Sequence, residues 1–126
     1  MRPRLEKKDK MLGLLRAFEN LGKPYDYDFD FETRDELVCS ELVYDAYIQI
    51  ENVKKGLNMK LESMNGRKIM SPLNIAEKFR NEVGKNDMEL DFVYFLQGDE
   101  GSGKAFISTR DKFIESIDWS KFSFLQ

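Results

Sequence analysis

A glycine and a proline, Gly22 and Pro24, separate two stretches of the chain that have different hydrophobic periodicities. From about Asp9 to Leu21, apolar residues recur every three or four positions, which predicts an amphipathic helix. Its apolar stripe consists of Met11, Leu14, Leu15, Phe18 and Leu21. Glycine at this position favours a left-handed end to the helix, and the proline prevents the helix from resuming.

The segment from Tyr25 to Phe31 strictly alternates aromatic and acidic residues. A period of two places the four aromatic side chains on one face and the three carboxylates on the other. The pattern fits a half-buried strand or an extended loop whose aromatic side chains dock on the core. A second helix is expected from Cys39 to about Asn52, and its inner stripe is Cys39, Val43, Ala46, Tyr47 and Ile50.

The remaining segments predict further helices and strands. Asn65-Gly66 predicts a two-residue hairpin turn, and Ser71-Pro72 predicts the start of a third helix that ends at Gly84. The inward residues of this helix are Ile75, Ala76, Phe79 and Val83. Leu90 to Gln97 predicts a mostly buried strand, and the tail from Trp119 to Leu125 is expected to pack back on the core. We expect one α+β domain over residues 1–126.

The charge, hydropathy and residue counts of the sequence exclude several classes of function. The 126 residues contain 20 Lys+Arg and 23 Asp+Glu, a net charge of -3, so we expect no nucleic-acid partner. No apolar run approaches the roughly 18 residues of a transmembrane helix, and no signal peptide is visible. We leave the compartment and the oligomeric state open. The single cysteine excludes an intramolecular disulfide, and the absence of histidine excludes a complete imidazole-based mechanism within these residues.

Two motifs fail as ligand sites. Gly98 to Ala105 nearly matches the phosphate-binding loop, but Ala105 stands where a hydroxyl must bind magnesium, so we interpret the segment as a surface loop. The acidic residues from Asp26 to Asp30 imitate the opening of an EF-hand, but Phe31 and Leu37 replace the required glycine and glutamate. A looser cation site on this acidic face stays open. We expect no cofactor and no metal centre.

Cys39 has two interpretations from its position alone. Free cysteine is among the most buried residue types, so it could be a core thiol on the inner stripe of the helix. At a helix N-terminus, however, the positive end of the helix dipole favours a thiolate nucleophile. Position alone favours the core thiol.

The sequence around Cys39 resembles a known signature. Gly22-Lys23-Pro24-Tyr25, followed by Val38-Cys39-Ser40-Glu41-Leu42-Val43-Tyr44-Asp45-Ala46-Tyr47, is similar to a conserved block of the NlpC/P60 superfamily of papain-like cysteine hydrolases. The form Cys-Ser-Glu-Leu is similar to the circularly permuted YiiX/YaeF/YebB-like amidases. The specific resemblance covers residues 22–47.

The resemblance implies an α+β papain-like core, circularly permuted, in which a helix presents its N-terminal cysteine against a sheet. Cys39 matches the nucleophile, and Tyr25 matches a tyrosine that lies close to the nucleophile. In the permuted branch the catalytic histidine lies before the cysteine, and this sequence has none. The expectation is therefore that these residues form the C-terminal portion of a longer domain, or a degraded relative.

Two functions follow from this resemblance. The first is a thiol hydrolase of amide or ester bonds, which acts on a peptide, lipid-amide or ester substrate and is incomplete without a histidine. The second is a non-catalytic relative that binds a lipid, a peptide or a protein. Without a general base, a free thiol is mostly protonated at neutral pH. The nearby carboxylates of Asp35, Glu36 and Glu41 disfavour the thiolate further. We therefore expect no turnover by these residues alone.

Overall fold

A computed structural model describes the backbone of residues 1–123 and the side chains of residues 1–118. The helices are α1 (Lys7–Glu19), α2 (Cys39–Tyr47), α3 (Pro72–Glu82) and α4 (Arg110–Ser123). The strands are β1 (Arg2–Pro3), β2 (Glu62–Met64), β3 (Arg67–Ile69), β4 (Leu90–Asp91), β5 (Phe95–Asp99) and β6 (Lys104–Ser108). They pair as three antiparallel two-stranded sheets, β1 with β4, β2 with β3 and β5 with β6. This mixture of helices and small strands agrees with the α+β prediction.

The chain divides into two compact units. Leu5–Ile75 forms the first, which we call the cysteine unit. Met1–Arg4 and the residues from Ala76 onward form the second, which we call the terminal unit. That the whole chain behaves as one domain stays a prediction.

In the cysteine unit, α1 packs against α2 through the small and polar face of α1. Gly13 is buried, and a Cβ atom at this position would lie 2.8 Å from the backbone oxygen of Ala46. The backbone N–H of Lys55 donates a hydrogen bond of 2.9 Å to Asp9, which is also buried on this face. The helix predicted over residues 9–21 is therefore present, and the glycine after it, Gly22, has the expected left-handed φ of 88°.

The apolar stripe of α1 lies on its exposed side. All five stripe residues are exposed, and Phe18 retains 69% of its accessible surface. The reason is that α2 contacts the opposite face, where the missing side chain of Gly13 allows the two backbones to approach closely.

Helix α2 begins at Cys39 as predicted but ends at Tyr47, five residues before the predicted end at Asn52. Beyond it the chain turns back at Asn52, whose φ is 60°, and Ile50 pairs with Lys54 outside the helix. The buried ammonium group of Lys54 donates hydrogen bonds to Ala46 O (2.8 Å) and Ile48 O (2.5 Å), which occupies carbonyl groups at the helix end.

The predicted inner stripe of α2 is wrong in part. Ala46 is buried, but Val43 and Cys39 are exposed. The buried polar residues of this helix are Ser40 and Glu41.

The aromatic–acidic segment forms a loop, and its predicted two-faced alternation is wrong. Asp26 retains 1% of its accessible surface, whereas Tyr25, Tyr27 and Phe29 are exposed. The physical reason is that the Asp26 carboxylate accepts backbone hydrogen bonds from the loop itself, which compensates its burial.

Local turn signals were predicted correctly elsewhere in the cysteine unit. Asn65 and Gly66 both have positive φ (52° and 83°) between β2 and β3, as the hairpin requires. Ser71 and Asn74 cap the start of α3 reciprocally, because Asn74 Oδ1 accepts the Ser71 N–H (2.7 Å) and Ser71 Oγ accepts the Asn74 N–H (3.3 Å).

The terminal unit has a phenylalanine core. Phe79 is fully buried, and its ring lies 5.8 Å from that of Phe113 and 6.1 Å from that of Phe92. The single buried strand predicted over Leu90–Gln97 is wrong, because β4 pairs with β1 and β5 pairs with β6. Val93 and Tyr94, which lie between β4 and β5, are exposed, and so is Leu96 within β5.

Two further predictions concern the C-terminal part of the chain. Gly98 to Gly103 is the end of β5 and the turn of the β5–β6 hairpin, in agreement with its interpretation as a surface loop. The predicted packing of the tail, Trp119 to Leu125, lies outside the described side chains. Among the described residues, no helix has the length and apolar character needed to span a membrane.

Candidate functional site

Cys39 is the first residue of α2, and it is exposed. Val38 before it is extended (φ -98°, ψ 161°) and almost fully buried, so the chain enters the helix from the interior. The first backbone N–H groups of a helix have no partner within the helix, and the positive end of its dipole lies there. The thiol therefore combines access to solvent with the end of the helix that favours an anion.

Glu41 caps this helix from within its first turn. Its Oε2 accepts a hydrogen bond of 3.4 Å from the backbone N–H of Val38, one residue before Cys39. Glutamate at the third helical position commonly reaches back in this way. Glu41 retains 7% of its accessible surface. A buried carboxyl group two residues after Cys39 therefore holds the backbone of the residue that precedes it.

Burial raises the pKa of Glu41 above its ordinary value of 4.5. The hydrogen bond from Val38 acts in the opposite direction, and the neighbouring charge of Asp26 adds to the rise. The carboxyl group at the start of α2 therefore keeps its proton to a higher pH than an exposed glutamate does.

Tyr25 lies on the segment that pairs with the residues leading into Cys39. Tyr25 and Leu37 form an isolated parallel bridge. The Leu37 N–H donates to Pro24 O at 3.0 Å, and the Asp26 N–H donates to Leu37 O at 3.3 Å. These bonds place the backbone of Tyr25 beside a residue only two positions before Cys39. The two residues singled out from the sequence therefore lie on neighbouring segments of the cysteine unit.

The ring of Tyr25 belongs to an exposed aromatic cluster. It makes edge-on contacts with Tyr27 (5.1 Å between ring centroids) and Phe29 (6.1 Å). Such arrangements suit the quadrupoles of aromatic rings. About half of Tyr25 is exposed (47%), so this cluster offers an accessible apolar surface next to the segment that precedes Cys39.

Asp26 holds the loop that carries this cluster. Its two carboxylate oxygens accept the backbone N–H groups of Asp28 and Asp30, each at 2.7 Å. A buried carboxylate that accepts two backbone hydrogen bonds from its own loop stabilises the conformation of that loop. Asp26 therefore fixes the loop that continues from Tyr25.

The sequence-based prediction missed Asp26 and Glu41. Asp26 was assigned to a solvated face, and Glu41 was not assigned a contact. For Asp26 the available signal was the tendency of aspartate to accept the backbone N–H two residues later. For Glu41 it was the position three residues after the N-cap, from which glutamate often caps the helix. Neither signal was strong, because the alternating pattern indicated a strand and the N-cap position is occupied by valine.

No metal centre is apparent at this site. Within the described residues, no group of three or more histidine, cysteine, aspartate or glutamate side chains could hold a metal ion. The looser cation site considered for Asp26, Asp28 and Asp30 therefore lacks structural support. The Asp26 carboxylate is occupied by the backbone, and Asp28 forms an ion pair with Arg67 (3.3 Å).

Comparison with protein families places the chain among the papain-like amidases. The matching family is described as permuted papain-like amidase enzyme, YaeF/YiiX, C92 family, and its model covers residues 4–89. The match covers more than half of the chain and includes both Tyr25 and Cys39, so the chain belongs to this family. The predicted resemblance to the YiiX/YaeF-like amidases is thereby confirmed, as is the general class of hydrolase. Comparisons with curated proteins and with solved structures gave no match.

Proposed function

We propose that Cys39 is the nucleophile of a thiol hydrolase that cleaves amide or ester bonds, and that Tyr25 lines the same site. The observation that carries this proposal is the exposed position of Cys39 as the first residue of α2. A cysteine in a structural role would be expected inside the core, as free cysteine usually is. Membership of an amidase family supports the same reaction class.

The proposed reaction follows the general course of thiol catalysis. The thiolate sulfur of Cys39 attacks the carbonyl carbon, and the bond from that carbon to the leaving nitrogen or oxygen breaks as the leaving group takes a proton. Water then hydrolyses the resulting thioester, which releases the acid and restores the thiol. The N-terminal end of α2 favours the thiolate by about 0.3–1 kcal/mol, which is too little to ionise a thiol at neutral pH.

The reaction requires a general base that these residues do not contain. The 126 residues include no histidine, and the buried carboxyl group two residues after Cys39, that of Glu41, accepts a hydrogen bond from the backbone of Val38. We propose that the imidazole comes from polypeptide outside these residues, in a circularly permuted papain-like domain of which they form the C-terminal portion. In-frame sequence upstream of the Met1 codon should then encode two or three strands with a histidine followed by an acidic or amide residue.

The alternative is a binding module without catalysis. The exposed aromatic cluster of Tyr25, Tyr27 and Phe29 favours it, because these rings could hold an apolar group of a lipid, a peptide or a protein. This alternative requires no histidine. The two proposals therefore differ in what the upstream sequence encodes.

The test compares two lengths of polypeptide, residues 1–126 and the same residues extended through the upstream strands. Hydrolysis of an acyl p-nitroanilide and of a p-nitrophenyl ester is measured for each, with Cys39→Ser as the matched control. We expect turnover only in the extended chain and none in its Cys39→Ser form. Turnover that survives Cys39→Ser would reject Cys39 as nucleophile. Stop codons in every upstream frame would favour the binding module.

A further inference from the structure

A cleft of about 360 Å³ opens in the cysteine unit between α1, α2 and the loop that precedes α2. This volume lies at the lower end of the range of small-molecule sites. Three residues of α2 contribute to its wall, namely Glu41, Tyr44 and Asp45. The cleft is therefore large enough for a small organic ligand.

The cleft lies on the side of α2 that faces away from Cys39. A helix turns about 100° per residue, so Glu41, Tyr44 and Asp45 lie about 200°, 140° and 240° around the axis from Cys39. Cys39 does not line the cleft. A ligand in the cleft would accordingly be separate from the thiol and from the reaction proposed for it.

The cleft is lined by three cationic residues and three acidic residues, Glu19, Glu41 and Asp45, but their ion pairs involve only one of the cations. Arg16 forms ion pairs with two of these carboxylates, with Glu19 at 2.8 Å and with Asp45 at 3.2 Å. Lys23 and Arg34 also line the cleft, and both are exposed. Neither forms an ion pair or a side-chain hydrogen bond with another residue in the described part of the chain. Lys23 interacts electrostatically with the buried Glu41 and acts to lower its pKa, but the Glu41 carboxyl group is bonded to the backbone of Val38 and forms no ion pair with Lys23 or Arg34.

An apolar wall lies next to these two cations. The rings of Phe31 and Tyr44 contact each other at 5.7 Å between centroids, and both line the cleft. Cations beside an aromatic surface suit a ligand that carries a negative group on an apolar body.

We propose that this cleft binds a small organic anion, whose carboxylate or phosphate group contacts Lys23 and Arg34 while its apolar part packs against Phe31 and Tyr44. Guanidinium and ammonium groups both bind either anion, and arginine does so with two parallel hydrogen bonds. The proposed ligand class therefore comprises small molecules that combine a carboxylate or phosphate group with an apolar part.

The test is an NMR titration of the isotope-labelled full chain at low salt. The probes are 3-phenylpropionate and phenyl phosphate, with the uncharged 3-phenylpropionamide as the matched control. We expect saturable shifts of the amide signals around the cleft with at least one anion, with a dissociation constant of about 1 mM or weaker for so small a ligand. The amide should bind at least about tenfold more weakly, and added salt should weaken the anions. The anion that binds more tightly identifies the preferred head group.

Two pairs of substitutions assign the site. Lys23→Gln with Arg34→Gln should weaken binding by about tenfold or more, the loss expected when charged hydrogen-bonding partners are removed. Lys60→Gln with Lys104→Gln removes the same charge from exposed positions outside the cleft and should leave binding unchanged. Thermal unfolding of both double variants verifies that they fold.

The result that overturns the proposal is the absence of saturable shifts with both anions, or equal weakening by the two pairs of substitutions. Cys39→Ser should bind the anion as the unaltered chain does. The proposal of anion binding in the cleft and the proposal of a catalytic role for Cys39 can therefore be refuted independently of each other.

Discussion

The Glu41 carboxyl group accepts the backbone N–H of Val38 at 3.4 Å, which ties the first turn of α2 to the residue that precedes Cys39. The same carboxyl group is buried, and its pKa is raised mainly by that burial. One side chain thus supplies a cap at the start of the helix and a buried group that resists ionisation. Both Glu41→Gln and Glu41→Ala remove the ionisable group, but only Glu41→Ala also removes the cap.

We expect Glu41→Gln to change the pH dependence of unfolding. The folded-state pKa of Glu41 lies above its ordinary value of 4.5, so the folded state holds the proton more tightly. This contribution to stability is complete below pH 4.5 and is lost as the pH rises through the folded-state pKa. Glutamine keeps an acceptor for the Val38 N–H but cannot ionise. The unfolding free energy of Glu41→Gln should therefore lack the decline that ionisation of Glu41 causes as the pH rises.

Urea unfolding of both proteins from pH 4 to pH 7 measures this difference. Glu41→Ala is the companion variant. It cannot ionise either, so relative to Glu41→Gln the lost cap should cost about 0.5–2 kcal/mol of unfolding free energy at every pH. Parallel stability curves for the unaltered chain and Glu41→Gln would contradict the raised pKa.

Asp26→Asn should loosen the loop that follows Tyr25. Asp26 uses both oxygens to accept the N–H groups of Asp28 and Asp30. Asparagine has one oxygen and a donor group, so one of these N–H groups loses its partner at the buried Asp26 side chain, at a cost of about 1–3 kcal/mol. Thermal unfolding and amide hydrogen exchange of residues 26–31 measure the effect. The control is Asp35→Asn. Asp35 is exposed, so this substitution should change the free energy of unfolding by less than about 0.5 kcal/mol. Equal effects of the two substitutions would mean that Asp26 does not hold the loop.

Gly13→Ala should separate α1 from α2. The added Cβ would lie 2.8 Å from the Ala46 oxygen and 3.3 Å from the Tyr47 ring, and backbone atoms cannot yield as a flexible side chain can. We expect a loss of about 1–3 kcal/mol, as for other overpacked contacts. The control is Gly98→Ala, where a Cβ meets nothing within 4 Å. Alanine usually stabilises a helix interior relative to glycine, so a more stable Gly13→Ala would show that the helices are not in close contact.

The thiol of Cys39 should be only weakly activated in residues 1–126. The dipole of α2 favours the thiolate modestly, and these residues supply no imidazolium to add to it. Iodoacetamide should alkylate this single cysteine at pH 7 no faster than it alkylates a small free thiol such as N-acetylcysteine.

The polypeptide extended through the proposed histidine-bearing strands should react at least about tenfold faster, because an imidazolium partner converts most of the thiol to thiolate. Because residues 1–126 contain one cysteine, mass spectrometry of the intact short chain follows its alkylation directly. In the extended polypeptide, comparison with its Cys39→Ser form isolates the reaction of Cys39. Rapid alkylation of the short chain would point to an activating group within these residues and would contradict the proposed external base.

The sequence by itself determined the features that depend on a few adjacent residues. Gly22 and the Asn65-Gly66 pair supply positive φ angles, Ser71 caps α3, and α2 begins at Cys39. The family was likewise predicted from the residues around Cys39, and the family match confirms that family. These features are local because turns, caps and motifs require specific residue types at fixed short spacings.

Tertiary structure decided which side chains are buried and where elements end. The apolar stripe of α1 is exposed because Gly13 and Asp9 contact residues far along the chain, such as Ala46 and Lys55. Asp26 is buried because its own loop folds around its carboxylate. The segment after Leu90 splits into two strands because β1 and β6 each pair with only part of it. Periodicity records which face of an element is apolar, whereas burial depends on partner surfaces that only the folded chain brings together.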